Sequence, residues 1–475
     1  MKVSKNLKIG WSKKDITPYG RTVSLAGMGN MKVTSEIRDS IYVTALVIDG
    51  ENDQFALVSC DFLNVPYFIM KEVREKLADL KGFNPENIII SAIHTHTAPY
   101  TDSSGPSKLW GAYFDFSDEF VGDIMNPREF SDSIVENITG AITDAWTNRA
   151  EGGVAFELAY PGVAFSRRSA YKDGSSIMYG GSGIKGFSGF EDASDPGVEL
   201  MFTFDSGAKV TGVVANIACP SQAIELSLAI SADYMGEARR LLKEDHDIYL
   251  LGQIAPAGDQ SPRDMLRQKW KKSSNYFSRD HHDDAHMKEM GRRLAEAIGL
   301  RMKAAAKSIE WALPVSAGCS HIDLPLFEVT QEQYDEAKVI YDALNLVLSQ
   351  SNNVFTKEQR QIYMKYAGIY NRYHLQQRSD KLSIEIVALR IGDAAFISNP
   401  FELYTTYGMQ IKGLSAADQT FCVQLANGNS GYLPSQRAVD GGSYGAQPYS
   451  CLVGPEGGDE LVEKSLEIIN KLFEK

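Results

Sequence analysis

Residues 41–91 contain the pattern that most restricts the fold of this chain. Two short apolar runs, 41–49 and 54–60, are separated by Gly-Glu-Asn-Asp and predict a β-hairpin. A segment at about 66–81 with apolar residues at helical spacing predicts an amphipathic helix, and the apolar run 87–91 predicts a buried strand. A strand–helix–strand order is typical of α/β units. We therefore predict a mixed α/β fold in which packed β-sheets are flanked by helices.

The rest of the chain continues this alternation. Further strands are predicted at 200–217, 247–252, 383–390 and 394–398, and helices near 233–244, at about 285–306 and from about 459. Residues 100–130 and 171–195 are rich in glycine and serine, and we interpret both as surface loops.

Two Thr-x-x-Gln capping boxes, which begin at Thr330 and Thr356, each predict the start of a helix. No internal repeat or low-complexity linker divides the chain. We therefore predict a single catalytic domain over residues 1–475, with a helical insertion at about 328–380.

Composition excludes some classes of function. The 475 residues carry a formal net charge of −13, which argues against nucleic acid as a partner because phosphate binding needs a cationic surface. No run of about 18 apolar residues is present, so no transmembrane segment is expected. The N-terminus shows no signal peptide, which predicts a cytoplasmic protein, or a secreted or periplasmic one if a signal was removed. The sequence leaves the oligomeric state open.

The motif His94-Thr95-His96 is the strongest local indication of chemistry. It lies just beyond the predicted strand 87–91, at the edge where open α/β sheets carry their sites. Two histidines two positions apart in an extended segment place both rings on one side, and imidazole is a ligand that suits zinc. By itself the motif is a weak indication of a metal, and two ordinary polar residues at a strand end are the alternative.

A second pattern, Gly258-Asp259-Gln260-Ser261-Pro262, follows the predicted strand at 247–252. A glycine-rich turn after a strand presents backbone N–H groups and one hydroxyl, which suits oxyanion binding or nucleophilic attack. The pattern is not Gly-x-Ser-x-Gly, so it does not match the nucleophile elbow of α/β-hydrolases. A simple Gly/Pro turn is the alternative.

The order of the motifs resembles that of the neutral ceramidase family, which are zinc-dependent amidases of the non-lysosomal type. His-Thr-His-Thr-Ala-Pro at 94–99 is similar to the family's His-Thr-His-Ser-Gly-Pro. The similar segments follow one another through nearly the whole chain: 11–18, 26–29, 37–39, 58–61, 94–99, 168–169, 195–196, 230–234, 258–262, 400–402 and 431–435. Because the chain stops at residue 475, the resemblance also predicts that the family's C-terminal β-sandwich domain is absent.

The resemblance implies a Zn²⁺ site, since the family binds zinc through two histidines, a glutamate and a tyrosine. Carried over, His94, Glu402 and Tyr432 are ligands, and His96 is a catalytic neighbour that hydrogen-bonds substrate or water. The second histidine is expected in the segment 218–222, which has none. Cys219 takes its place, either as a thiolate ligand or as a small buried apolar residue with the zinc site altered.

The same resemblance assigns Ser261 as a catalytic residue, either nucleophile or oxyanion stabiliser, and Arg168 and Tyr449 as substrate-binding residues. The predicted function is a zinc-dependent hydrolase that cleaves an amide or ester bond of a small acylated substrate. Ceramide itself is not favoured, because no amphipathic membrane-binding stretch is evident. The alternatives are a hydrolase acting on a carbohydrate derivative, hence a glycosylated substrate, and a non-catalytic binding protein that has lost the metal.

Overall fold

The structure, a computed structural model, describes residues 6–27, 32–101, 123–267, 283–350 and 357–474. Its strands are β1 (Lys8–Asp15), β2 (Val23–Leu25), β3 (Lys32–Thr34), β4 (Tyr42–Asp49), β5 (Gln54–Cys60), β6 (Ile88–Ala92), β7 (Ala150–Ala159), β8 (Phe165–Ser166), β9 (Arg168–Tyr171), β10 (Ser176–Met178), β11 (Phe187–Phe190), β12 (Val198–Asp205), β13 (Val210–Ile217), β14 (Tyr249–Ile254), β15 (Gln260–Ser261), β16 (Val315–Pro325), β17 (Lys381–Ile391), β18 (Ala394–Ser398), β19 (Glu402–Leu403), β20 (Gln419–Val423) and β21 (Tyr432–Leu433). Its helices are α1 (Tyr67–Leu77), α2 (Pro127–Thr147), α3 (Asp233–His246), α4 (Asp284–Ala305), α5 (Gln331–Gln350), α6 (Lys357–Gln376), α7 (Thr405–Leu414), α8 (Gln436–Gly441) and α9 (Pro455–Phe473).

The main sheet has eight strands in the order β14-β13-β12-β7-β1-β4-β5-β6. The predicted hairpin is confirmed, because β4 and β5 pair antiparallel from Val43↔Cys60 to Asp49↔Gln54. Both ends of the sheet are parallel strand–helix–strand units, β5-α1-β6 and β13-α3-β14. The carboxyl ends of β6 and β14 lead into the two motifs singled out in the sequence.

Strand β4 shows why its apolar run is continuous. Val43, Ala45 and Val47 belong to the core between the sheet and helices that include α1 and α2. Leu46 and Ile48 belong to a second core on the opposite face. Because successive side chains of a strand point to opposite faces, a strand covered on both faces is apolar at nearly every position, and the buried Thr44 is the exception within this run.

The second core is shared with a four-stranded sheet in the order β16-β17-β18-β20. There Phe396 stacks on Phe421 at 4.3 Å and meets Phe55 of the main sheet at 6.3 Å between ring centroids. The far face of the smaller sheet packs against α7 and α9. The predicted architecture of packed sheets flanked by helices is therefore confirmed.

Two loop predictions have different outcomes. Residues 171–195 are not entirely loop, because β10 and β11 pair with β9 in a three-stranded sheet. Strands of three or four residues among glycines and serines are too short to produce a visible alternation. Of residues 100–130, the range 102–122 lies outside the described residues, and α2 already begins at Pro127.

The region predicted as a helical insertion contains the helices α5 and α6. Its first capping box is formed, because Thr330 Oγ1 accepts from the Gln333 N–H at 3.2 Å and Gln333 Oε1 accepts from the Thr330 N–H at 2.9 Å. Thr356 lies outside the described residues. That the chain forms one catalytic domain stays a prediction. Within the described part of the chain, no helix has the length and apolarity needed to cross a bilayer.

Candidate metal and catalytic site

The ends of β6, β19 and β21 converge and bring distant parts of the sequence together. An isolated bridge joins Ser91 of β6 to Ala426. Strands β19 and β21 run parallel with Glu402 opposite Tyr432 in register. Just beyond β6, His94 adopts a φ of 59°, in the left-handed region that non-glycine residues rarely occupy. Such strained positions cluster at functional sites.

His94 and Glu402 face each other at the centre of this cluster. The His94 Nδ1–H donates to the Leu63 carbonyl at 2.9 Å, so the lone pair of the neutral ring is on Nε2. That Nε2 lies 3.5 Å from Glu402 Oε2. Burial lowers the pKa of His94 below its ordinary value, while Glu402 acts in the opposite direction. The His94 Nε2 lone pair therefore lies beside a carboxylate oxygen of Glu402.

His96 lies beside this pair. Its Nε2 is 3.3 Å from His94 Nε2, and the two rings meet edge to face at 76°. Burial, and then the neighbouring His94, lower the pKa of His96 well below its ordinary value. Gly27 is close on another side, because a Cβ at that position would lie 2.5 Å from His96 Cγ. The ring is therefore neutral and confined.

Tyr432 and Arg167 complete the cluster. An Arg167 Nη2–H donates to the Tyr432 hydroxyl at 3.3 Å, and the same Nη2 is 3.9 Å from Glu402 Oε2. Arg167 also donates to the Gly258 carbonyl at 2.6 Å, which ties the cluster to the glycine-rich turn. Burial raises the pKa of Tyr432 well above its ordinary value, Glu402 adds to that rise, and Arg167 opposes it.

Arg168, predicted to bind substrate, is directed away from this cluster. Its guanidinium is fully buried and forms an ion pair with Glu191. It also donates to the backbone carbonyls of Ala438, Gly442 and Tyr444. The arginine that reaches Glu402 and Tyr432 is its neighbour Arg167, which the sequence analysis missed; the Arg-Arg pair was the available signal.

The Cys219 side chain is likewise directed to a group other than His94 and Glu402. Its thiol donates to the Val163 carbonyl at 3.3 Å, and burial raises its pKa far above the ordinary value. Tyr449 lies two rings from the cluster, because Tyr444 stands between it and Tyr432, with centroid distances of 6.3 and 5.4 Å.

Ser261 lies close to this region. It is buried on β15, which pairs with β8, and its Oγ accepts from the Arg263 N–H at 3.1 Å. β8 leads directly into Arg167, whose N–H donates to the Asp259 carbonyl at 2.9 Å. No hydrogen bond joins Ser261 to His94 or Glu402 within the described residues.

The donor set fits a zinc ion. Zinc–nitrogen and zinc–oxygen bonds of about 2.0–2.2 Å place two ligand atoms of a tetrahedral site roughly 3.3–3.5 Å apart. The 3.5 Å between His94 Nε2 and Glu402 Oε2 matches this spacing. A cation there would lie between the His94 lone pair and a carboxylate oxygen, and Tyr432 stands opposite Glu402 in the β19–β21 register.

A second acidic group fits a metal poorly. Glu86, Cys319 and Glu385 are the only three His, Cys, Asp or Glu side chains of the described segments whose ligand atoms lie within 4.8 Å of one another. Arg74 forms ion pairs with both of these glutamates. Arg74 therefore already balances one of their two negative charges.

An open cavity of about 470 Å³ borders β8 and the end of β11. This volume is in the range typical of small-molecule sites. The cavity combines apolar and charged side chains, and its lining includes Phe165, Ser166, Phe190, Asp192, Asp264 and Arg437.

Comparison with known proteins agrees with the predicted resemblance. Residues 7–171 match the family model described as neutral/alkaline non-lysosomal ceramidase, N-terminal. The structure is similar to that of neutral ceramidase from Pseudomonas aeruginosa, with a TM-score of 0.70 and 17% identity, covering 99% of this chain and 75% of that chain. It is also similar to a ceramidase complexed with C2, with a TM-score of 0.70, 16% identity and the same coverage. No curated protein matches the chain significantly.

These findings define the class as a ceramidase-like hydrolase with the neutral ceramidase fold. The match of residues 7–171 to the neutral/alkaline non-lysosomal ceramidase model, together with the shared fold over the rest of the chain, confirms the resemblance predicted from its motifs.

Proposed function

We propose that this protein is a zinc-dependent hydrolase that cleaves the amide or ester bond of a small acylated substrate. The observation that carries the proposal is the 3.5 Å approach of His94 Nε2 to Glu402 Oε2 beside the buried Tyr432 hydroxyl. The match to a ceramidase family model over the N-terminal third of the chain supports amide cleavage.

In this proposal His94, Glu402 and Tyr432 hold the ion. Zinc, when bound, supplies Lewis acidity that activates water and polarises a carbonyl group. Arg167 stabilises the negative charge of Glu402 and of an ionised Tyr432, because its guanidinium is 3.9 Å from the carboxylate and 3.3 Å from the phenol oxygen. Cys219 as a further ligand requires that its thiol leave the Val163 carbonyl.

His96 and Ser261 act on the substrate side. His96 Nε2 is 3.3 Å from His94 Nε2, so it can orient a water molecule at the metal position or accept its proton. Ser261 is nucleophile or oxyanion stabiliser, and Arg263 N–H holds its hydroxyl. The charged side chains Asp192, Asp264 and Arg437 of the nearby cavity suit a polar part of the substrate.

Metal analysis tests the zinc assignment. We expect one zinc ion per purified chain, and Glu402→Gln to weaken zinc binding by at least 100-fold because it removes an anionic ligand. Glu136→Gln is the matched control. Glu136 lies exposed on α2, where it pairs with Lys76 of α1, so this substitution should leave zinc binding unchanged. Protein that contains no zinc and does not bind added zinc would contradict the proposal and favour a binding protein that has lost the metal.

A second pair of measurements addresses the thiol and the substrate. Loss of zinc in Cys219→Ser with an unchanged circular dichroism spectrum would support a thiolate ligand, whereas unchanged zinc content would exclude it. Acyl-amide, acyl-ester and glycoside substrates assayed in parallel distinguish the types of hydrolase, and we expect turnover of acyl compounds that is lost in Glu402→Gln.

A further inference from the structure

Gln222 lies between Arg167 and His96, and its orientation is fixed by chemistry. It is buried in the loop that follows β13. Its Oε1 is 3.4 Å from Arg167 Nη1, and its Nε2 is 2.6 Å from His96 Nε2. Because arginine can only donate, the amide oxygen must face Arg167 and the amide N–H₂ must face His96.

This orientation determines which nitrogen of His96 carries the hydrogen. The Gln222 N–H donates to Nε2, so Nε2 holds the lone pair and the neutral ring carries its hydrogen on Nδ1. That Nδ1 is buried and has no hydrogen-bond partner in the described residues. The nearby Glu225 Oε2 is 3.9 Å away, and an ion pair with Arg263 holds Glu225.

Gln222 and Glu225 therefore lie on opposite sides of the His96 ring. The Gln222 N–H donates to Nε2, and the Glu225 carboxylate lies 3.9 Å from Nδ1, too far for a hydrogen bond but on the side where a negative charge favours the hydrogen of the ring. Gln222 and Glu225 lie three residues apart in the same loop, and Asp233 holds this loop through the N–H groups of Ala223 and Ile224.

We infer that Gln222 and Glu225 are positioning residues that fix His96 with its hydrogen on Nδ1 and its Nε2 lone pair beside His94. The catalytic value of this tautomer rests on the proposed hydrolase function, in which a proton from water would replace the Gln222 N–H at Nε2. The same Arg167 guanidinium orients Gln222 and contacts Tyr432, so it links the ring tautomer to the metal-binding side of the site.

Nitrogen-15 NMR of the metal-free protein, labelled at histidine, tests the tautomer directly. We expect the His96 signals, identified by their loss in His96→Gln, to show a hydrogen on Nδ1. In Gln222→Glu, an isosteric change that replaces a donor with an acceptor, we expect the hydrogen on Nε2. A wild-type ring with its hydrogen on Nε2, or a Gln222→Glu spectrum identical to wild type, would overturn the inference.

Two further variants keep the test decisive. Gln333→Glu is the matched control, since a glutamate at this capping-box position retains the local hydrogen bonds and should leave the His96 signals unchanged. If Gln222→Glu does not fold, Gln222→Asn shortens the amide and withdraws its N–H from Nε2. We then expect a mixture of both tautomers, and a pure Nδ1–H ring would contradict the inference.

Kinetics then separate this inference from the proposed function. If the protein is a zinc hydrolase, Gln222→Glu should lower kcat at least 100-fold, with KM changed less than threefold and zinc content unchanged. Because the NMR result needs neither zinc nor turnover, absence of hydrolase activity leaves the tautomer measurement valid. Conversely, an unaltered tautomer in an active hydrolase refutes only the role of Gln222.

Discussion

The family resemblance predicts that Arg168 binds substrate, whereas its contacts in the structure predict that it stabilises the fold. Its guanidinium is fully buried and forms an ion pair with Glu191, which is 1% exposed. It also donates to the carbonyls of Ala438, Gly442 and Tyr444 at 3.1, 2.7 and 3.1 Å. These contacts join β9 to the segment around α8.

Arg168→Met should therefore destabilise the fold. Leaving one partner of a buried ion pair unpaired costs about 3–5 kcal/mol. Each carbonyl that loses its donor adds about 1 kcal/mol, less where water replaces the guanidinium. We expect the free energy of unfolding to fall by at least about 4 kcal/mol. Arg168→Met combined with Glu191→Leu removes both charges and should recover part of this loss.

Urea unfolding followed by circular dichroism measures these changes, with KM recorded on the folded protein. Arg240→Met is the control, because this exposed arginine pairs with Glu237 and Glu244 on its own helix, α3, and should change stability by less than about 0.5 kcal/mol and leave KM unchanged. If Arg168→Met left stability within about 1 kcal/mol of wild type and raised KM, Arg168 would bind substrate, as the family resemblance implies.

Three further predictions follow from local geometry. Gly27→Ala should destabilise by about 1–2 kcal/mol through its φ of 85° and displace the His96 ring, which lowers kcat; unchanged thermal unfolding and turnover would contradict this. Burial raises the pKa of Asp233 to about 6, so ionisation of this carboxyl opposes folding. The free energy of unfolding of the wild type, relative to Asp233→Asn, should therefore fall by up to about 3 kcal/mol as the pH rises from roughly 4 to 6. A difference between the two proteins that does not depend on pH would refute this. Thr330→Ala should cost about 1 kcal/mol in urea unfolding through loss of the cap to the Gln333 N–H, whereas Thr330→Ser should not.

The sequence predicted the local elements of the fold better than their arrangement. The hairpin of β4 and β5 and the helix α1 follow from apolar spacing within short windows, and both are present. The position of β1 between β7 and β4 depends on pairing across more than 100 residues, which no local pattern specifies. The packing of the two sheets through Phe55 and Phe396 likewise depends on a contact between residues that are far apart in the sequence.

The candidate site could likewise be predicted only in part from the sequence. The order of motifs indicated His94, Glu402 and Tyr432, which the structure brings together. The choice between Arg167 and Arg168 depends on which of two adjacent side chains points to the site, and a shift of one residue along an extended segment reverses that direction. Local sequence does not specify this register.

The segment 218–222 is where this chain departs most from the family pattern, and the structure suggests how the site compensates. With the Cys219 thiol held at the Val163 carbonyl, the segment contributes a neutral donor, Gln222, instead of an imidazole or thiolate ligand. In the proposed zinc site Glu402 and Tyr432 would be the anionic ligands, and the charges of a carboxylate and a phenolate would balance one Zn²⁺. An added Cys219 thiolate would make the proposed site anionic and its zinc a weaker Lewis acid. With Cys219 protonated, the proposed ligands would be His94, Glu402 and Tyr432, and three protein ligands are the number that catalytic zinc sites typically have.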